Sequence, residues 1–397
     1  MLYKSFQDLT LSSLGFGTMR LPCLADGSID QAEVDRMVDL AMQGGINYFD
    51  TAYPYHGGKS EISIGQSLSR YPRESWFLAD KFPGHQNVPG VTPLKPADVF
   101  EEQLVKCGVD RFDFYLLHNV NENSIINYYG HRENGYLDYF LEQKALGRIR
   151  HLGFSCHAGP EALKRFLDQY GDSLEFCQIQ LNYLDWSLQH ADEKVRILND
   201  ANIPVWVMEP ARGGKLASFA AETEAKMKAL RPDESIAAWA FRWLQTVPQP
   251  TMVLSGMSNS AQMLDNIRTF SEPAPLGKDE LAILQEIVDK LTRSIPCTGC
   301  RYCCAGCPMQ LDIPMLMNMA NEMTLGGTPI NLLMRYSALG DGHRADSCVG
   351  CGQCSAACPQ KIDIPRHMKE IVEKVSAQKS WEDICRERAA AAAAAGK

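Results

Sequence analysis

The sequence lacks long apolar runs, strongly basic segments and the apolar core of a signal peptide. No stretch approaches the roughly 20 apolar residues that a membrane-spanning helix needs. The formal net charge is −9, and lysine and arginine are scattered along the chain. Neither nucleic acid nor an anionic membrane surface is therefore an expected partner. The first six residues are of mixed polarity, and we expect a cytoplasmic protein.

Two glycine motifs that bind nucleotides are also missing. Residues 15–17 (Gly-Phe-Gly) follow a predicted strand, but Arg20 occupies the position of the third glycine of the dinucleotide fingerprint. Residues 58–60 (Gly-Lys-Ser) resemble the end of a phosphate-binding loop, yet Tyr53 stands where that loop needs its first glycine. These departures argue against a doubly wound sheet and against a P-loop.

Cysteine, by contrast, is abundant, and eight of the 14 cysteines form two matching runs near the C-terminus. Both runs have the spacing Cys-x2-Cys-x2-Cys-x3-Cys-Pro, and the second repeats the first at an offset of 51 residues. The match continues into residues 311–314 (Leu-Asp-Ile-Pro) and 362–365 (Ile-Asp-Ile-Pro). This is the bacterial spacing for two [4Fe–4S] clusters. Structural zinc is the alternative, but all-cysteine zinc sites usually combine two separated Cys-x2-Cys pairs.

In two-cluster modules of this kind, the fourth cysteine of each run binds the other cluster. We therefore predict that one cluster is held by Cys297, Cys300, Cys303 and Cys358. The other cluster is predicted to be held by Cys348, Cys351, Cys354 and Cys307. Cys304 is adjacent to a ligand but out of register, so we interpret it as a spare thiol. Because no secretion signal is evident, we expect a reducing compartment rather than disulfides.

Upstream, short strand-like runs alternate with amphipathic helical segments between about residues 12 and 270. The eight predicted strands are residues 13–18, 46–50, 76–81, 112–118, 149–155, 176–182, 205–208 and 251–255. Eight such units predict an α/β fold, a (β/α)8 TIM barrel. We assign residues 1–275 to this barrel and 276–388 to a linker helix and a small, mainly helical, ferredoxin-like two-cluster domain. Residues 389–397 are a low-complexity, alanine-rich tail.

The catalytic groups of such barrels lie where the strands end. Asp50, Lys81 and His118 each lie at such an end, and Tyr55 follows in the loop after Asp50. Reduction of a carbonyl by hydride leaves an alkoxide, which Tyr55 can protonate. A nearby ammonium lowers a phenol pKa, so Lys81 would tune Tyr55 while Asp50 keeps Lys81 charged and in place. His118 can donate to the carbonyl oxygen and stabilise the developing charge.

These residues stand in segments that resemble the aldo-keto reductase family. The segments are residues 49–57, Lys81, residues 116–118, residues 153–155, residues 213–216 and residues 265–266. The cysteine module resembles that of a family subgroup with a C-terminal double-cluster domain. The resemblance implies NADH or NADPH as cofactor, with contacts at Ser155, Gln178, Met208, Gly214, Leu216, Gly256 and Asn266.

Several of these positions leave alternatives open. Ser155 and Gln178 match carboxamide-binding positions, and Gln180 takes that role if the register slips by two. Met208 falls where the family usually stacks an aromatic ring, although a thioether also packs well on a ring. Gln262 falls where members that prefer NADP often carry arginine, so the choice between NADH and NADPH stays open.

The polar and aromatic loop of residues 119–138 is a candidate lining for a substrate pocket. Aromatic side chains that would line such a pocket are Tyr53, Tyr128, Tyr129 and Trp186.

Together these features predict an iron–sulfur oxidoreductase that interconverts a carbonyl and an alcohol of a small molecule. The clusters would pass single electrons to or from a partner, for which a flavoprotein or a ferredoxin is suitable. Two alternatives remain: an NAD(P)H-dependent carbonyl reductase with structural or regulatory clusters, and a non-enzymatic redox-sensing or electron-transfer subunit.

Overall fold

The computed structural model describes residues 1–87, 91–122, 124–128, 136–292, 295–297, 299–324 and 330–395. The chain forms two compact units, of which the first includes Met1–Leu281 and the second spans Ala282–Ala389. The boundary between them falls within a helix, Lys278–Thr292, which lies at the start of the range 276–388 that we predicted to begin with a linker helix.

The first unit is built on eight parallel strands that close into a barrel, as predicted. An antiparallel hairpin, β1 (Tyr3–Phe6) and β2 (Leu9–Ser12), precedes it. The barrel strands are β3 (Leu14–Gly17), β4 (Tyr48–Asp50), β5 (Phe77–Phe82), β6 (Phe112–Val120), β7 (Ile149–Cys156), β8 (Cys177–Gln180), β9 (Val205–Met208) and β10 (Pro250–Ser255). They follow each other in chain order around the barrel, and β10 pairs with β3 to close it.

Helices connect the strands on the outside. They are α1 (Gln31–Gln43), α2 (Ser60–Leu68), α3 (Pro96–Cys107), α4 (Ile125–Tyr128), α5 (Tyr136–Ala145), α6 (Pro160–Tyr170), α7 (Asp185–Leu188), α8 (Ala191–Asp200), α9 (Ala221–Leu230), α10 (Ile236–Leu244), α11 (Ser260–Thr269) and α12 (Lys278–Thr292). The α1 helix begins after Asp30, whose side chain accepts a hydrogen bond from the backbone N–H of Glu33 and caps the first turn.

The N-terminal hairpin was not predicted, because its strands are only four residues long and β1 is mostly exposed. Phe6 nevertheless contributes to the barrel core, where its ring packs edge-on against Trp206 at 4.8 Å. The hairpin residues join a buried cluster with Phe77, the first residue of β5, and with Phe176, which precedes β8. The hairpin therefore closes the end of the barrel at which the strands begin. The opposite end is left for the loops that carry the site.

The second unit is helical, as predicted. Its helices are α13 (Tyr302–Ala305), α14 (Ile313–Thr324), α15 (Ile330–Ser337), α16 (Gln353–Ala357), α17 (Ile364–Ser376) and α18 (Trp381–Ala395). Its core contains the buried faces of α14 and α17 together with several of the cysteines. Among the described residues, we find no helix with the length and apolar character needed to cross a membrane.

The sequence repeat in this unit is also a repeat of backbone structure. The helix pairs α13 and α16, and α14 and α17, begin at positions 51 residues apart. Left-handed backbone conformations recur at the same offset, with φ of 53° at Gln310 and 55° at Lys361. They recur again with φ of 63° at Arg301 and 76° at Gly352. Equivalent positions of the two halves can therefore be compared side chain by side chain.

Candidate active site and cluster-binding cavities

The four residues predicted to be catalytic meet at the open end of the barrel. Lys81 Nζ lies 2.5 Å from Asp50 Oδ1 and donates a second hydrogen bond to the main-chain oxygen of Thr51 at 2.6 Å. The same ammonium lies 5.2 Å from the centre of the Tyr55 ring. The Tyr55 and His118 rings meet edge to face at 5.8 Å. Asp50, Lys81 and His118 are buried, whereas Tyr55 is partly exposed.

The electrostatics of this cluster combine burial with ion pairing. Burial is the largest influence on Tyr55 and raises its pKa, while the charge of Lys81 acts in the opposite direction. The net pKa of Tyr55 is raised, because desolvation of its hydroxyl outweighs the Lys81 charge. The sequence analysis expected a lowered pKa, since the sequence does not reveal how strongly the hydroxyl is desolvated. Burial also raises the pKa of Asp50 against the pull of Lys81. The pKa of Lys81 is raised, since attraction to Asp50 and Tyr55 outweighs the larger single effect of burial.

A second histidine, which the sequence analysis missed, lies beside His118. His85 follows β5 in the short turn Gly84–Gln86, and its ring lies 4.6 Å from the His118 ring. Both imidazoles are buried. The main-chain oxygen of His118 accepts a hydrogen bond from the Tyr128 hydroxyl at 2.7 Å. The only signal in the sequence was that His85 follows a predicted strand end by a few residues.

The residues predicted to bind the carboxamide take different positions. Gln178 Nε2 donates to Asp50 Oδ2 at 3.2 Å, which places its amide beside the four residues predicted to be catalytic. Gln180, the alternative carboxamide-binding residue, instead donates from Nε2 to Asp185 Oδ2 at 2.7 Å. Its amide is therefore directed toward α7. Ser155 Oγ is buried and accepts the backbone N–H of Asn119 at 2.8 Å.

The remaining predicted cofactor residues lie at the end of β9, in the loops that follow β9 and β10, and on α11. Gly214 has φ of 93°, and no atom lies within 4 Å of the position that a Cβ would take there, so the loop is open on that side. Leu216 is buried, Met208 ends β9, and the Asn266 side chain donates to Ser255 Oγ at 2.9 Å.

Arg20 is a second residue that the sequence analysis missed as part of this site. Its guanidinium Nη2 lies 2.7 Å from the position of a Cβ at Gly213, and its aliphatic carbons lie 3.5 Å from that position at Gly256. Arg20 therefore brings a positive charge to both glycine loops. The residue that breaks the dinucleotide fingerprint thus lies against the loop that carries Gly213 and Gly214.

The proposed pocket aromatics divide into two groups. Tyr128 lies beside His118, as described above. The Tyr53 hydroxyl donates to Glu102 at 2.9 Å, and the Trp186 ring packs against Trp243 at 5.5 Å. These contacts are therefore with α3 and α10, and not with the four residues predicted to be catalytic. Tyr129 lies outside the described residues.

A buried polar network lies behind Lys81. Asp80 Oδ1 accepts the backbone N–H of Lys81 at 2.8 Å, and Gln103 Nε2 donates to the main-chain oxygen of Lys81 at 3.2 Å. Gln103 also donates to Glu61 Oε1 at 3.0 Å. Burial raises the pKa of Asp80 and of Glu61, and their mutual repulsion adds to the shift at Asp80. The backbone of Lys81 is therefore held by side chains of β5 and α3.

In the second unit, the cysteines line two separate cavities. The first cavity is lined by Cys297, Cys300, Cys303 and Cys358. The second cavity is lined by Cys307, Cys348, Cys351 and Cys354. Their other lining residues are mainly proline, methionine, leucine, isoleucine and valine. Four thiols in an apolar wall form a donor set that suits a [4Fe–4S] cluster. Among the described residues, no group of three or more His, Cys, Asp or Glu side chains is arranged closely enough to hold a single metal ion.

Comparisons with known proteins match two parts of the chain to two different family models. Residues 13–289 match the model of the aldo/keto reductase family, and residues 296–363 match that of the 4Fe-4S dicluster domain. A relative, the NADH-specific methylglyoxal reductase of Escherichia coli, is 26% identical over 228 residues, which cover 53% of this chain and 66% of that protein. The chain thus spans about two thirds or less of the length of the first curated relatives it matches.

Solved structures show the same fold. The holo form of aldo-keto reductase AKR11C1 from Bacillus halodurans has a TM-score of 0.57 and 24% identity, covering 72% of this chain and 96% of that one. An aldo/keto reductase from Klebsiella pneumoniae, solved in complex with NADP and acetate, has a TM-score of 0.55 and 18% identity, covering 71% and 93%. The chain belongs to the aldo-keto reductase family of oxidoreductases, and it carries a C-terminal 4Fe-4S dicluster domain.

Proposed function

We propose that this oxidoreductase interconverts a carbonyl and an alcohol at Tyr55, with Lys81, Asp50 and His118 as its assisting groups. The observation that carries the proposal is the position of the buried Lys81 ammonium, 2.5 Å from Asp50 and 5.2 Å from the Tyr55 ring centre. Such an ammonium stabilises a phenolate, and Tyr55 must pass through the phenolate form when it gives up its proton.

The proposed roles follow from the chemistry of each group. Tyr55 protonates the oxygen of the reduced carbonyl, or removes the proton of the alcohol in the reverse direction. Lys81 offsets the charge left on Tyr55, and Asp50 keeps Lys81 charged although it is buried. His118 orients the carbonyl oxygen and stabilises the negative charge that develops on it. The adjacent ring of His85 limits how far the His118 imidazole can turn.

A nicotinamide cofactor, when bound, supplies the hydride. The residues fit such a group: Gln178 offers a buried amide beside Asp50, and Ser155 offers a buried hydroxyl. The two glycine loops leave backbone accessible next to the Arg20 cation, which suits an anionic dinucleotide. Either NADH or NADPH is compatible with these groups. The NADH-specific relative and the NADP-bound neighbour make both worth testing.

For the second unit, we propose that each cysteine-lined cavity holds one [4Fe–4S] cluster. A cluster passes one electron at a time, whereas hydride carries two. A flavin can take up two electrons and release them one at a time. We therefore propose a flavoprotein as the partner that would couple hydride to the clusters, or a ferredoxin as a partner that would exchange single electrons with the clusters alone.

The catalytic proposal is tested by Tyr55→Phe with Tyr53→Phe as matched control. Both changes remove one phenolic hydroxyl from the same loop, but Tyr53 is directed to Glu102. With methylglyoxal as probe and NADH or NADPH as reductant, the rate of Tyr55→Phe should fall by about a hundredfold or more. Tyr53→Phe should retain activity. Equal rates in both variants would overturn the assignment of Tyr55.

The cluster proposal is tested by iron analysis and anaerobic visible absorption of the same protein. We expect about eight irons per chain. Bleaching by NADH or NADPH once a flavoprotein is added, or by a ferredoxin that has been reduced beforehand, would support electron transfer. A fully loaded protein whose clusters no such partner reduces or oxidises would favour a structural or regulatory role instead.

A further inference from the structure

The two cluster cavities are built from equivalent positions of the internal repeat. For most residues that line one cavity, the residue 51 positions away in the sequence lines the other cavity. This applies to the four cysteines and also to the pairs Leu311/Ile362, Ile313/Ile364, Pro314/Pro365 and Met317/Met368. Because the backbone repeats as well, the positions at which the walls differ are informative.

One difference lies in the cavity wall two residues after the fourth cysteine. The first cavity is lined there by Gln360, and the second by the equivalent Met309. A carboxamide carries two N–H donors, whereas a thioether carries none. Hydrogen bonds to the sulfurs of a cluster are among the factors that set its reduction potential, and donors favour the reduced, more negative state.

A second difference concerns charge. Arg301 lines the first cavity, and Gly352 takes the equivalent position in the other half. Both residues have positive φ, a conformation that glycine adopts without strain and arginine does not. The strained position thus holds an arginine where the repeat shows that glycine fits. Lys361 likewise follows Gln360, whereas the neutral Gln310 follows Met309.

Countercharges only partly offset this difference. Arg301 pairs with Asp312 at 3.1 Å, but an aspartate, Asp363, also occupies the equivalent position of the other half. On the side of the second cavity, Arg366 and His367 follow Pro365, and both pair with Glu370. Asp346, two residues before Cys348, adds a negative charge beside the second cavity. The equivalent position of the first half of the repeat is the neutral Ile295. The surplus of donors and cations therefore lies at the first cavity.

We propose that the two cluster sites have unequal reduction potentials, and that the first cavity, with Gln360 and Arg301 in its wall, takes up the first electron. This inference rests on the proposal that both cavities hold clusters. In a reductive titration with dithionite, one electron reduces the cluster of the first cavity, and the next reduces that of the second. An electron that entered at the second cavity would then pass to the first cavity, because the cluster site there has the higher reduction potential.

The test is a potentiometric titration of the full chain, loaded with iron and sulfide and monitored by electron paramagnetic resonance. The wild type should give two separate one-electron waves. Gln360→Met should move the higher wave to a lower potential, and Met309→Gln should move the lower wave to a higher potential. The double exchange should therefore narrow the gap. Arg301→Gly should lower the higher wave alone.

Gln378→Met is the matched control, because it makes the same exchange in the same unit outside both cavities, and it should leave both waves in place. Coincident waves in the wild type, or a Gln360→Met variant that moves the lower wave, would overturn the inference. A chain that binds far fewer than about eight irons would overturn the cluster proposal itself, which keeps the two failures distinct.

Discussion

The side chain of Gln103 donates to the main-chain oxygen of Lys81 across 3.2 Å, although the two residues lie on different elements. Asp80 holds the backbone N–H of the same lysine, and Gln103 is in turn fixed by the Tyr115 hydroxyl, 2.5 Å from its Oε1. The position of the Lys81 backbone thus depends on a buried network formed by Asp80, Gln103 and Tyr115.

We predict that Gln103→Met lowers the turnover number by about tenfold, because a small displacement of a catalytic group is costly. The pH dependence of turnover should shift as well, since Lys81 tunes Tyr55. Gln66→Met, an exposed change on α2, is the control. A loss of stability with an unchanged pH profile would mean that Gln103 has only a structural role.

The Asp50–Lys81 pair makes a prediction about stability. Both side chains are buried, with 5% and 0% of their side-chain surface exposed. Asp50→Asn leaves a buried ammonium without its counterion and should lower the free energy of unfolding by about 3 kcal/mol. The double variant Asp50→Asn with Lys81→Met should be less destabilised than Asp50→Asn alone, because it removes the unpaired charge. Urea denaturation followed by tryptophan fluorescence measures both. Additive losses would contradict the pairing.

Much of the barrel could be predicted because its strands are buried on both faces and therefore appear as continuous apolar runs. The strand ends then identified Asp50, Lys81 and His118 without any knowledge of their distances. The residues that support them were not predictable in this way. Gln103 and Glu61 lie on helices, far from Lys81 along the chain, and only packing brings them to it. The net pKa shift of Tyr55 was likewise hidden, because desolvation depends on the walls around a group.

Glu175 makes a prediction about pH. It accepts hydrogen bonds from Lys144 at 2.5 Å and from the backbone N–H of Leu152 at 2.9 Å, and it pairs with His151 at 2.9 Å. Burial, the largest single influence, raises its pKa, but these bonds and one from Gln7 outweigh it and lower the pKa to about 2. A carboxyl whose pKa is depressed on folding contributes stability above its unfolded pKa, and loses it as the pH falls through the folded value.

Glu175→Gln should therefore be less stable than the wild type at neutral pH, by up to about 2 kcal/mol after allowance for solvent screening of this half-buried group. The difference should shrink as the pH falls from about 4.5 to about 2. Denaturant titrations across this range measure it, with Glu142→Gln, a change at an exposed glutamate of α5, as control. Parallel stability curves for Glu175→Gln and the wild type would rule out this carboxylate as the source.

The cysteine cavities predict a specific pattern of ligand loss. Cys307 stands in the first run of the sequence but lines the second cavity with Cys348, Cys351 and Cys354. Replacement of one cysteine ligand should cause the loss of the cluster that it binds. Cys307→Ser and Cys351→Ser should therefore each reduce the iron content to about four per chain. If both belong to one cluster, the double variant should lose no more iron than either single variant.

Pairing Cys307→Ser with Cys300→Ser should instead remove both clusters, because Cys300 lines the first cavity. Binding by consecutive cysteines predicts the reverse: the Cys307/Cys300 pair would then be non-additive, and the Cys307/Cys351 pair additive. Cys304→Ser is the control, since Cys304 lies next to Cys303 but lines neither cavity. Iron analysis and electron paramagnetic resonance of the dithionite-reduced variants distinguish the two patterns, and an additive Cys307/Cys351 pair would refute the exchange of fourth ligands between the runs.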